Sequence, residues 1–238
     1  MARLHPTQGK AGLRPVRLIR LIAGILLWMS VEQPAAAQTI AAEQALIAGA
    51  ARGDAKEVGR LIGGGADVNA RDGSGRTALL AATQGNHVDA ARVLIAARSD
   101  VNAKDNIEDS PFLLAGASGH SEILRLTLAS GADLASVNRY GGTALIPAAH
   151  YGHVETVREL LGTAINIDHV NNLGWTALLE AIILGDGGVR HSEIVRLLVE
   201  AGASVNLGDR DGKTPLTHAR SRRQGEIVNI LYAAGAIP

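Results

Sequence analysis

The chain has no cysteine among its 238 residues. A disulfide framework, a thiolate metal site, a cysteine nucleophile and a lipid anchor on cysteine are therefore all excluded. Aromatic residues are scarce too, at one Phe, three Tyr and two Trp. Globular cores usually take much of their bulk from such rings. Here Ala, Leu, Ile and Gly must supply it, which suits thin helices packed closely in a stack. Neither sign of charge is in excess, since 23 basic residues face 23 acidic ones. A phosphate-backbone partner needs a basic stripe, so nucleic acid is not an expected ligand. The apolar run Leu21-Ile22-Ala23-Gly24-Ile25-Leu26-Leu27-Trp28-Met29 falls well short of the ~20 residues that span a bilayer.

That run sits in a recognisable frame. Arg3, Lys10, Arg14, Arg17 and Arg20 precede it, and Ala35-Ala36-Ala37 follows with the small side chains that a signal peptidase reads. Residues 1–37 are therefore expected to be a signal peptide, cleaved after Ala37, with export to a bacterial periplasm or beyond. A retained membrane anchor is the alternative. The leader holds five of the 23 basic residues and one of the 23 acidic, so residues 38–238 keep 18 and 22, a net of −4. A mildly acidic domain has no electrostatic reason to seek nucleic acid or anionic lipid once the leader is gone.

A self-similar pattern fills the rest. A polar residue that can open a helix recurs at Gln44, Thr77, Ser110, Thr143, Thr176 and Thr214; the first four steps are 33 residues and the last is 38. Asp54–Ile62, His87–Ala96, Ser121–Leu128, His153–Leu161, His191–Val199 and Gln224–Tyr232 then carry apolar residues at helical spacing, as Val154, Val157, Leu160 and Leu161 do. Gly53, Asn86, Gly119 and Gly152 separate the helices, where a left-handed backbone is expected. Closing loops follow, among them Gly65-Ala66-Asp67-Val68-Asn69 and Gly202-Ala203-Ser204-Val205-Asn206. Arg98 and Ala164 stand where Gly is expected, which predicts slight strain at those two helix ends.

With Asn171-Asn172-Leu173-Gly174-Trp175-Thr176-Ala177-Leu178-Leu179 as its fullest copy, the pattern resembles the ankyrin repeat over residues 39–238. The resemblance implies an all-α solenoid of about six helix-turn-helix units with short β-hairpin-like fingers. The units run roughly over 39–71, 72–104, 105–137, 138–170, 171–208 and 209–238. Gln44, which no finger precedes, and Arg220, Arg222, Arg223 and Gln224 mark the capping units. The family's usual His in its Thr-Pro-Leu-His run is replaced by Ile47, Leu80, Leu113, Ile146, Leu179 and Thr217. Its hydrogen-bond link between repeats is thus expected to give way to apolar packing. The Thr-Ala-Leu-Leu variants look like those of exported bacterial ankyrin proteins.

Catalytic chemistry finds little support. His87, His120, His153 and His191 share one register and would be spread along the stack, whereas a metal needs three or four ligands at one point. No catalytic residue, metal or cofactor is expected. The competing reading is a hydrolase using Glu180, Asp186 and His191 around the inserted Asp186-Gly187-Gly188-Val189-Arg190 loop. A self-associating structural element is a third class; a monomer is the simpler expectation.

Binding is better supported. In ankyrin proteins the fingers and first helices form a concave groove that commonly holds a protein partner. The matching positions here are Arg76, Asp109, Gly142, Trp175 and Lys213 beside the helix caps. On the finger tips they are Ser74, Ile107, Arg139, Tyr140, Leu173, Arg210 and Asp211. On the first helices they are Gln84, Ala117, His150, Tyr151, Glu180, Ile183 and Leu184. Large side chains gather in repeats four and five. Exposed aromatics on a rigid scaffold are the usual anchors of an interface. The expected partner-binding residues are therefore Arg139, Tyr140, His150, Tyr151, Leu173, Trp175, Glu180 and Leu184. The implied role is an exported scaffold for another protein, or an accessory or inhibitory partner of an envelope enzyme or toxin.

Overall fold

The structure is a computed structural model that describes residues 35–237. Of the expected leader, residues 1–34 lie outside the described residues, and Ala35 opens the first helix. The chain divides into units Met1–Gln38 and Thr39–Pro238; the second carries the fold.

Twelve helices run through the described residues. They are α1 (Ala35–Ala51), α2 (Ala55–Gly63), α3 (Ala78–Gln84), α4 (Val88–Ala96), α5 (Pro111–Ser118), α6 (Ser121–Ala129), α7 (Leu145–His150), α8 (Val154–Leu161), α9 (Ala177–Ile183), α10 (Val189–Glu200), α11 (Pro215–Ser221) and α12 (Gly225–Ala233). Each repeat pairs an odd helix with the following even one. From α3 onward, odd helices pack on odd and even on even along the stack. The result is the all-α ankyrin solenoid that the repeats imply.

The inner helices α3, α5, α7 and α9 are short and covered over most of their surface. Ala78 to Thr83 in α3 and Ala177 to Ile183 in α9 are all buried. Small residues let neighbouring backbones approach. Outer helices bury one stripe, such as Val157 and Leu160 in α8 or Ile194, Val195 and Leu198 in α10. Each buried Leu, Ile or Val contributes roughly 1.5–3 kcal/mol. The sole Phe, Phe112, is fully buried in α5.

Caps set most inner-helix starts. The hydroxyls of Thr77, Ser110, Thr176 and Thr214 each accept from the N–H three residues on, at 3.2 Å. Two expected caps fail. Gln44 lies within α1 and starts nothing. Thr143 makes no cap bond, and its buried hydroxyl has no partner among the described residues. Pro147 is the cause. In the other repeats the fourth N–H bonds the cap carbonyl, as Glu180 N does to Thr176 O at 2.9 Å. Pro147 has no N–H to give. Ile146 N therefore turns to Thr143 O at 3.2 Å and is lost to the side chain.

The fingers are turns, and the described residues contain no strand. A single antiparallel bridge joins Arg71 and Thr77. A device unread in the sequence holds each finger: an Asp or Asn whose Oδ1 accepts two finger N–H groups. Asn171 takes Leu173 N at 2.9 Å and Trp175 N at 3.0 Å; Asp72, Asp105, Asn138 and Asp209 repeat the pattern.

The link from the family's usual His is absent, but apolar packing does not act alone: His87, His191 and Gln224 hydrogen-bond successive repeats. His87 Nε2 lies 3.0 Å from Ala51 O, His191 Nε2 lies 2.8 Å from His150 O, and Gln224 Nε2 donates to Ile182 O at 3.1 Å. His87 lies over Gly53, at φ 74°, where a Cβ would stand 2.5 Å from the ring. Glycine there serves both the left-handed turn and the histidine. A second ladder runs through the closing loops. Asn69, Asn102, Asp168 and Asn206 each accept an N–H of the next repeat at 2.9–3.0 Å. Ala135 occupies that register between repeats three and four and offers no acceptor.

Strain appears at Arg98, with φ 66°, as expected, but not at Ala164. There Thr163 Oγ1 donates to Leu160 O at 2.6 Å and accepts from Ile165 N at 3.2 Å, closing the helix without a left-handed residue. The inserted loop is also shorter than expected, because Val189 and Arg190 are already helical in α10.

Candidate functional site

Repeats three to five enclose a half-open cavity of ≈ 340 Å³ on the face made by the fingers and inner helices. Its rim is apolar and exposed: Tyr140 at 55%, Tyr151 at 56%, Leu173 at 50% and Leu184 at 43%. Tyr140 and Leu173 are equivalent finger tips one repeat apart. Tyr151 and Leu184 are equivalent ends of inner helices. The solenoid thus converts a 33-residue spacing into adjacency.

Polar groups lie deeper. Glu180, on α9, is only 6% exposed, and Asn171 only 5%. Asn171 Nδ2 donates to Glu180 Oε1 at 2.7 Å. The finger device needs an oxygen at this position. Asn supplies one and keeps an N–H₂ for the carboxylate, which Asp could not do. Glu180 Oε2 has His150 Nδ1 at 3.7 Å, beyond hydrogen-bond reach. Burial raises the Glu180 pKa above 4.5, partly opposed by Asn171. Burial, with His191 nearby, lowers that of His150 below 6.5. Both groups are pushed toward neutrality, so their proximity is not a strong ion pair. The His150 ring stacks on Tyr151 with centroids 4.2 Å apart.

At the other wall, Arg139 lies over the Tyr140 ring at 4.9 Å and 3.6 Å from Asp109. Burial raises the Asp109 pKa, with Arg139 opposing.

Seven of the eight expected binding residues therefore converge: Arg139, Tyr140, His150, Tyr151, Leu173, Glu180 and Leu184. Trp175 is half-buried and does not line the cavity. Glu180 belongs to the floor rather than the exposed face, and Ile183, a predicted groove position, is core. Asp109 escaped selection because only its spatial neighbours distinguish it from other finger acids.

The hydrolase constellation is not assembled. Asp186 Oδ1 lies 2.7 Å from His191 Nδ1, while His191 Nε2 is taken by His150 O at 2.8 Å. Both ring nitrogens are engaged, and neither Asp186 nor His191 lines the cavity that holds Glu180. No group of three or more potential metal ligands occurs among the described residues.

A stack of helical hairpins with a groove on its finger side defines a repeat scaffold. The family model for ankyrin repeats matches three times, over residues 25–105, 46–136 and 112–209. The chain belongs to the ankyrin-repeat family. It is similar to an ankyrin repeat domain from Acinetobacter baumannii, at 57% identity and a TM-score of 0.79, over 81% of this chain and 98% of that one. It is also similar to the ankyrin repeat protein EF0377, at 39% identity and a TM-score of 0.77, over 80% and 97% of the two chains. The ankyrin domain of Bcl-3, of the IκB family, shares 28% identity with a TM-score of 0.73, over 81% and 86% of the two chains. A putative ankyrin repeat protein of Escherichia coli, YahD, is 56% identical over 57 residues, which span 24% of this chain and 28% of YahD. Ankyrin repeats generally mediate protein–protein interaction and are typically not enzymes.

Proposed function

We propose that the chain is an exported scaffold that binds another protein through its finger and inner-helix face, centred on repeats four and five. The carrying observation is the exposed quartet of Tyr140, Tyr151, Leu173 and Leu184 around one cavity. Large apolar side chains gathered at one place on a surface mark interaction sites. Export rests on the basic, apolar and small-residue order of residues 1–37. Intact-mass analysis of the native protein should give an N-terminus at Gln38; a chain retaining Met1 and staying in the cytoplasm contradicts it.

Binding is tested by capture from an envelope extract, with wild type against Tyr140→Ala/Tyr151→Ala. Hot-spot truncations each cost about 2 kcal/mol or more, so the double variant should lose capture while keeping its helical circular dichroism. Capture by that variant at wild-type level would move the site elsewhere.

A further inference from the structure

We propose that the partner anchors itself by inserting an arginine side chain into the cavity between Tyr140 and Tyr151, its guanidinium meeting the carboxylate of Glu180. The inference rests on the binding reading above and names the chemistry of its occupant.

Four observations carry it. The carboxylate of Glu180 is more than nine-tenths buried, lines the cavity and has one oxygen without a hydrogen bond, since His150 Nδ1 stands 3.7 Å away. An unused acceptor on a largely buried carboxylate that opens onto a cavity is available to a charged donor entering there. The second carboxylate, Asp109, is also incompletely paired, because Arg139 approaches only to 3.6 Å. The cavity lining thus holds two carboxylates, Asp109 and Glu180, and one guanidinium, that of Arg139. The wall has also shown its preference. Arg139 lies over Tyr140 at 4.9 Å, an intramolecular instance of guanidinium on this ring. The volume, ≈ 340 Å³, admits an arginine side chain, and the exposed rings favour a planar guanidinium that can stack on them over a compact ammonium. An acidic or purely apolar anchor would leave Glu180 Oε2 buried and unpaired.

The test is selection of displayed random dodecapeptides on chain 38–238, on its Glu180→Gln variant and on Tyr140→Ala/Tyr151→Ala. Wild type should enrich peptides with one fixed arginine. A synthetic peptide of that sequence should bind Glu180→Gln about tenfold or more weaker, the loss of one charge-assisted hydrogen bond. Replacing its arginine by citrulline should cost as much, and the tyrosine variant should bind at background. Asp109→Asn, expected to weaken binding in the same direction, serves if Glu180→Gln fails to fold by circular dichroism. Peptides that need the tyrosines but carry no fixed arginine, or that bind Glu180→Gln as tightly as wild type, overturn the anchor and leave the groove standing. Peptides indifferent to the tyrosines, or no enrichment over the tyrosine variant, overturn both.

Discussion

Repeat two and repeats four and five share a backbone and differ in what they do with it. In repeat two the finger tip is Ser74, and the inner-helix end is Gln84 followed by Gly85. Arg76 spends its guanidinium inside the repeat, donating to Asp72 Oδ2 at 3.0 Å and Gln84 Oε1 at 2.9 Å. At the same registers repeat four carries Tyr140, His150 and Tyr151, and repeat five carries Leu173, Ile183 and Leu184. Alanine of α3 becomes Pro147 in α7 and Glu180 in α9. In repeats four and five Glu180 takes Asn171 on one oxygen and keeps the other without a hydrogen bond, and Thr143 has an orphaned hydroxyl. A solenoid lets such a difference arise locally, because each unit contacts only its neighbours. What separates the two regions is the large apolar finger tips and helix ends of repeats four and five rather than the pairing of polar groups, since Ser99 of repeat two is itself a buried hydroxyl with no partner among the described residues.

The comparison can be broken in order of effect. Grafting it away comes first: Tyr140→Ala/Tyr151→Ala should weaken partner affinity at least ~30-fold per 2 kcal/mol hot spot lost, whereas Arg76→Ala in repeat two should leave it unchanged. Equal losses from both would erase the distinction. Next comes the cap position. Thr176→Val removes a working cap and should lower stability by about 1 kcal/mol in chemical denaturation. Thr143→Val removes a buried hydroxyl with no partner and should be neutral or stabilising. A matching loss at both sites would mean that Thr143 is satisfied after all. The smallest effect is in pH dependence. The folded pKa of Glu180 is raised above 4.5, so the native state binds its proton before the unfolded chain does. Its contribution therefore rises as pH falls from that raised value toward 4.5 and is lost above it. Glu180→Gln should flatten the stability profile in that window; an unchanged slope would show that Glu180 ionises normally.

The fold was legible because a 33-residue period, helix caps and left-handed positions such as Gly53 and Gly119 are local properties of sequence. Seven of the cavity's residues were legible for the same reason, since register alone places Tyr140 beside Leu173. What escaped depends on contacts between repeats. The His87-to-Ala51 link and the loop ladder need two repeats in place before either partner is identifiable. Trp175 stands half-buried and outside the cavity, because size and register say nothing of where a ring comes to lie. Thr143 was misjudged because the proline that disables it lies four residues downstream.

The most direct test is a hydrogen-exchange footprint of chain 38–238 bound to its captured partner. Protection should concentrate on residues 138–151 and 171–184, with 71–85 unchanged. Protection centred on 71–85, or spread over the outer helices α4, α6 and α8, would contradict it.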